Sequence, residues 1–176
     1  TLVDANPLFL ECGPGTFADP GATSIDNLDG DITPGIVVQG SVDLSAPGNY
    51  SVDYESTDLA GNVTTETRTV KVEDKTPPVL MLSGGRTLFV ECGDVFTDPG
   101  ATALDACAGD LTSSIVIIGS VDMSAVGSHF LTYEVTDPSG NTATDTREVQ
   151  VGDGIPPEIS LLDNATLFVE CGDPFN

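Results

Sequence analysis

Tyr54-Glu55-Ser56-Thr57-Asp58-Leu59-Ala60-Gly61-Asn62 returns downstream as Tyr133-Glu134-Val135-Thr136-Asp137-Pro138-Ser139-Gly140-Asn141. The residues leading into it alternate. Tyr50, Val52 and Tyr54 share one face of an extended chain, with Ser51, Asp53 and Glu55 on the other. In the second copy Leu131, Tyr133 and Val135 oppose Thr132 and Glu134. A period of two with one polar face predicts a half-buried strand. The Asp58–Asn62 segment then predicts a hairpin turn, in which Gly61 supplies positive φ. Beyond the turn Val70 and Val72 share a face while Thr69 and Lys71 point away, as a returning strand requires.

Outward from this stretch the repetition continues. Leu8-Phe9-Leu10-Glu11-Cys12-Gly13 recurs as Leu88-Phe89-Val90-Glu91-Cys92-Gly93 and again as Leu167-Phe168-Val169-Glu170-Cys171-Gly172. Asp19-Pro20-Gly21-Ala22-Thr23 recurs as Asp98-Pro99-Gly100-Ala101-Thr102. The period is roughly eighty residues, long enough for each copy to be a domain. The expected organisation is one repeat over 1–74, a second over 75–153, and the opening strands of a third, truncated copy over 154–176. Pro77-Pro78 and Pro156-Pro157 mark the joints, because consecutive prolines fix φ and keep the preceding residue extended. Such joints are short and stiff. The β-branched runs Ile36-Val37-Val38 and Ser114-Ile115-Val116-Ile117-Ile118 add further strands, and no window carries a helical period. With Gly 19 and Pro 12 among 176 residues, the fold class is all-β, an antiparallel sandwich in each repeat.

Charge narrows the partners. Lys and Arg number 5 against 28 Asp and Glu, for a net charge of −23. Nucleic-acid binding needs clustered cations and is excluded on this balance; docking on anionic lipid is disfavoured for the same reason. No apolar run approaches the ~18 residues of a membrane span, so direct membrane insertion is not expected, and no basic segment followed by an apolar one marks a signal peptide. The chain opens at Thr1 rather than Met, which reads as a processed product or a piece of something longer. His129 is the one histidine, and Tyr50 takes its place in the first copy. No metalloprotease, nucleophile-elbow or phosphate-loop motif occurs. No enzyme is expected.

In order, these motifs resemble a family of bacterial immunoglobulin-like repeats, the type first named from a pesticidal crystal protein and distantly similar to hyalin repeats. The residues that carry the resemblance are Asp98 to Thr102, Asp105 to Thr112, Gly119 to Asp122 and Tyr133 to Val151, with equivalents in the first copy. It implies tandem Ig-like β-sandwich domains in a linear array and a secreted or cell-surface protein. It does not imply a ligand.

Four Cys occur, at 12, 92, 107 and 171. Three hold one repeat position, and Cys107 stands where the first copy has Leu28. Only the second copy owns a pair, so Cys92–Cys107 is the expected intradomain disulfide, with two buried free thiols as the alternative. A loop of that size gains about 3 kcal/mol from a cross-link, and such a bond suits an oxidising, extracellular setting. Cys12 and Cys171 are expected to be unpaired thiols. For Cys12 a buried, inert thiol is preferred to an intermolecular bond, and for Cys171 the missing partner is placed beyond Asn176.

Acidic residues gather in turns and at joints. In an up-and-down sandwich the Asp105–Asp110 loop and the Asp137 hairpin fall at the end where the linker enters. Asp74, Asp105, Asp110 and Asp137 could therefore converge on Ca²⁺, which takes several hard oxygen ligands. The reading placed ahead of this is that the acids cap their own turns or form a solvated, self-repelling surface. No cofactor is required. Arg68 and Arg147, on the parity of inward valines, predict a structural ion pair or a stack over Tyr54 and Tyr133.

The function expected from these features is a non-enzymatic rod or fibre of tandem repeats, extracellular or on the cell surface. Its partners are neighbouring copies of the same repeat, with self-association into a filament through the segment after Pro156 as a narrower version. The alternative is an adhesin, or a carbohydrate- or protein-binding module of a larger secreted protein. The absence of Trp and the 6% aromatic content weigh against sugar platforms.

Overall fold

In the computed structural model, which describes residues 1–160, the first unit contains β1 (Leu8–Glu11), β2 (Ile25–Asp26), β3 (Gly30–Asp31), β4 (Val37–Gln39), β5 (Gly48–Thr57) and β6 (Val63–Glu73). The second contains β7 (Val79–Leu82), β8 (Thr87–Glu91), β9 (Ala101–Asp105), β10 (Gly109–Asp110), β11 (Val116–Ile118), β12 (Gly127–Thr136) and β13 (Thr142–Gly152). The two alternating stretches are the long central hairpins, β5 with β6 and β12 with β13, antiparallel along their length. The inward residues Val52, Tyr54, Val70 and Val72, and their counterparts Leu131, Tyr133, Val149 and Val151, are at most 5% exposed. Alternation thus becomes a core on one face and water on the other.

Each hairpin is the middle of a four-stranded sheet, β1-β6-β5-β4 in one unit and β8-β13-β12-β11 in the other. The opposing layer of the second unit is β7-β9-β10; in the first it is reduced to the β2–β3 pair and a bridge between Leu2 and Ala22. Both units are Ig-like β-sandwiches. One detail departs from a purely antiparallel sandwich: β1 runs parallel to β6 and β8 parallel to β13. The opening segment of the second unit changes layers between β7 and β8, where Gly84 and Gly85 take φ of 75° and 97°.

The β-branched runs begin later than expected, because Thr33–Gly35 and Thr112–Ser114 form single 3₁₀ turns ahead of β4 and β11. These strands lie at a sheet edge and leave Val37, Val38, Val116 and Ile118 about half exposed. Gly40 and Gly119, which follow them, have φ of 116° and 109°. A Cβ there would collide with the carbonyl oxygen of Ser51 or Phe130. This explains the glycine of the recurring Gly-Ser-Val-Asp motif: backbone passes over backbone. Among the described residues no helix is long and apolar enough to cross a membrane. The expected third copy falls mostly on residues 161–176, outside the described residues.

Candidate functional site at the domain joint

At the end of β1 the Glu11-Cys12-Gly13 segment turns away from the sheet and meets the linker. The Cys12 N–H donates to the Glu73 carbonyl at 2.8 Å, and the Gly13 N–H to the Leu44 carbonyl at 2.8 Å. The Glu11 carboxylate accepts both the Lys75 N–H and the Thr76 hydroxyl at 2.8 Å on Oε1. These bonds, the Lys75 N–H first, hold the Glu11 carboxyl below its ordinary value. A depressed pKa in the folded chain means that the contact is complete above the ordinary glutamate value and lost as pH falls through the lowered one. In a pH titration followed by NMR, the Lys75 amide shift is therefore expected to move with an acid midpoint below that of an ordinary glutamate. An ordinary midpoint would show that the clamp is absent.

Cys12 is bonded to Cys107, with Cα atoms 5.5 Å apart. The expected Cys92–Cys107 bond does not form, and Cys12 is not an unpaired thiol. The reason is topological. Cys92 follows β8, which runs parallel to β13 and ends beside Gly152, where the Cys92 N–H donates to the Gly152 carbonyl. Cys107 sits in the β9–β10 turn at the opposite end, near the β12–β13 hairpin. The 11 residues of β13 separate the two ends, a span of roughly 30 Å. Cys107 therefore faces the first unit, where the Ser45 carbonyl and Gly13 also lie against the loop. Cys92 is a half-buried free thiol among the described residues, and Cys171 lies outside them. The clue in the sequence was Cys107, the one cysteine out of step with the repeat, with Cys12 ending a strand that points at the next copy.

The acidic loops meet at the same place. Asp74 from the linker, Asp105 from the end of β9 and Asp137 from the β12–β13 hairpin each bring a carboxylate oxygen within 4.8 Å of the others. All three are buried, at 9%, 4% and 5% exposure. Asp110 does not join them. Its backbone partner in the β9–β10 ladder is the exposed Leu104, on the outward face, and its carboxylate accepts the Thr112 N–H at 2.9 Å. Strand alternation sends Asp105 inward and Asp110 outward.

Asp105 Oδ1 accepts the N–H groups of Cys107 and Ala108, and Asp74 Oδ1 that of Thr76. Oδ2 of Asp105 and Oδ2 of Asp74 are buried without a hydrogen-bond partner. Burial pushes the Asp137 carboxyl up, but the Asn141 side chain and N–H, bonded to it at 2.8 and 2.9 Å, more than offset this and leave it below the ordinary value. The same Asn141 amide donates to the Asp74 carbonyl at 3.1 Å, tying the hairpin to the linker.

The two inward arginines are fully buried and work inside each unit. Arg147 pairs with Asp98, donates to the carbonyls of Ser83 and Gly100, and lies 5.3 Å from the Tyr133 ring centroid. The Tyr133 hydroxyl donates to the same Asp98 at 2.7 Å. Arg68 differs. It donates to the carbonyls of Val3 and Gly21 and stacks 5.7 Å from the Tyr54 centroid. Among the described residues it makes no ion pair: Asp19, in the place of Asp98, takes the Tyr54 hydroxyl instead. Of the two arrangements expected there, Arg68 makes the stack over Tyr54, and carbonyl contacts stand in place of the ion pair. Burial, followed by the bond to Asp19, pushes the Tyr54 hydroxyl up to about 12, and burial with Asp98 raises Tyr133 likewise. The Asp of each Asp-Pro-Gly-Ala-Thr motif thus accepts the hydroxyl of an inward tyrosine and ties the layers together.

The curated proteins similar to this chain include the pesticidal crystal protein Cry22Aa of Bacillus thuringiensis, 32% identical over 142 residues that make up 78% of this chain and 19% of that protein. They also include hyalin of Strongylocentrotus purpuratus, 34% identical over 136 residues, 71% of this chain and 11% of that protein. The chain therefore spans less than a fifth of either relative. Among solved structures, a lipoprotein of Bacteroides thetaiotaomicron is 32% identical and covers 46% of this chain and 40% of its own, with a TM-score of 0.41. A family model described as bacterial surface protein, Ig-like domain, matches residues 1–72 and again 80–151. With its two sandwiches and both copies of the motif set inside those matches, the chain belongs to the bacterial surface protein Ig-like domain family, as a tandem pair.

Proposed function

We propose that this chain is a non-enzymatic structural segment of a secreted or cell-surface protein, in which Ig-like units are fixed end to end as a rod. The observation that carries this reading is the Cys12–Cys107 bond between the two units. Domains joined by one linker move relative to each other by default. Here the units meet through the linker, which Glu11 pins on one side and Asn141 on the other, and through the disulfide. Several attachments remove the swing that a single linker allows. The bond also fits the oxidising setting in which surface proteins work.

The same devices stand ready at the far end of the second unit. The Glu91 carboxylate accepts the Gly154 and Ile155 N–H groups at 2.7 and 3.2 Å, as Glu11 does at the first joint. Cys92 occupies the backbone setting of Cys12. Where a further copy follows, Cys92 is placed to make the corresponding bond, so the partners under this reading are adjoining copies of the same unit. The test is ¹⁵N relaxation on the oxidised chain. Both units are expected to tumble with one correlation time, and reduction to add independent motion of each. Separate tumbling in the oxidised chain would refute the rod.

A further inference from the structure

We infer that the joint between the two units is a calcium site, held by the carboxylates of Asp74, Asp105 and Asp137. The inference deepens the rod reading and rests on the same joint. Two ligands at about 2.4 Å from one calcium ion can be no more than about 4.8 Å apart, and the three carboxylate oxygens lie within 4.8 Å of one another. Closeness among acids alone would not suffice. The second observation is that Oδ2 of Asp105, on a residue 4% exposed, and Oδ2 of Asp74, at 9%, are buried without a partner.

Leaving charged oxygens unpaired away from water costs far more than leaving them exposed. No Lys or Arg among the described residues forms an ion pair with these acids; the cationic side chains that pair do so with Glu73, Asp145 and Asp98. The outer oxygens are already committed to the turn N–H groups of Cys107, Ala108 and Thr76. Those bonds fix the carboxylates in place and leave the other oxygen of Asp105 and of Asp74 without a donor. An all-oxygen set from separate loops, with no His or Cys ligand, suits a hard cation that tolerates irregular geometry, which is Ca²⁺ rather than Zn²⁺. One ligand comes from the linker and two from the second unit, so the bound ion would fasten the linker to the domain that follows it. The disulfide then holds the first unit to the Cys107 loop next to Asp105.

The first unit carries two of the three equivalent acids. Asp26 and Asp58 occupy the places of Asp105 and Asp137, and Asp26 accepts the N–H groups of Leu28 and Asp29 in the same way. Among the described residues they belong to no group of three carboxylates within reach of one cation, whereas Asp74 from the linker brings the second unit's set to three.

The experiment uses the whole oxidised chain, stripped with EDTA and titrated calorimetrically with CaCl₂ and, separately, MgCl₂. One Ca²⁺ is expected per joint, with a dissociation constant of about 10⁻⁴–10⁻³ M. At tenfold excess over that constant the melting temperature is expected to rise by about 3–6 °C. Asp105→Asn keeps the oxygen that the turn N–H groups need; it should weaken binding at least tenfold and cut the rise to about a third or less, without lowering the metal-free melting temperature. Asp74→Asn provides a second variant outside the sandwich core, and Asp110→Asn should bind as the parent does. No heat and no shift at about 10 mM CaCl₂ would overturn the site. So would equal weakening by Asp105→Asn and Asp110→Asn, which is the pattern of diffuse screening, or tighter binding of Mg²⁺ than of Ca²⁺. A chain that ignores calcium yet tumbles as one body would remove the ion and leave the rod standing.

Discussion

Replacing both Cys12 and Cys107 by Ser is expected to lower the stability of the chain by about 4–5 kcal/mol, the loop-entropy value for a cross-link across nearly a hundred residues. The sequence separation is 95, and the closed loop takes in most of the first unit and the opening part of the second. The bond therefore restricts the unfolded chain of both units together. The oxidised protein should melt in one coupled transition, and the double variant in two separate ones at lower temperature, as scanning calorimetry would record. The double replacement avoids leaving a thiol free to cross-link molecules. Cys92→Ser should change stability by no more than about 0.5 kcal/mol, because among the described residues nothing is bonded to it. The opposite ranking, with Cys92 the costly position, would restore the intradomain bond that spacing alone suggested.

Arg147→Met is expected to cost about 3–5 kcal/mol, the range seen when one member of a buried ion pair is removed and the other left behind. Its guanidinium is fully buried, and its partner Asp98 would keep only the Tyr133 hydroxyl. Arg68→Met should cost less, about 1–3 kcal/mol, because it leaves carbonyls rather than a carboxylate unsatisfied. Urea denaturation of each variant gives the comparison, and a double-mutant cycle sharpens it. Coupling between residues 98 and 147 should exceed that between residues 19 and 68. Equal coupling in the two units would mean that Asp19 serves Arg68 as Asp98 serves Arg147, contrary to the contacts described.

Much of this architecture was legible before any coordinates. The alternation of Tyr50, Val52 and Tyr54 identified a buried face because side-chain direction in a strand depends only on parity. The inward parity of Arg68 and Arg147 foretold that they must be satisfied inside, but not by which groups. The answering residue, Asp98, lies in a motif 49 positions upstream on another layer, and nothing local relates the two. Asp110 was misplaced for a related reason. Its membership of an acidic loop was visible, while the register that turns it outward opposite Leu104 was not.

Sequence alone determined that the chain is one β module written twice, which face of each central strand is buried, and where the acidic turns fall. These follow from periodicity and turn chemistry, which act over a few residues. Tertiary structure alone decided that Cys107 reaches Cys12 rather than Cys92, and that Asp74, Asp105 and Asp137 meet while Asp110 does not. The first outcome depends on which end of the sandwich each cysteine occupies, set by the parallel pairing of β8 with β13, and the second on the β9–β10 register that turns Asp110 outward. Both are pairings between strands that no local pattern encodes.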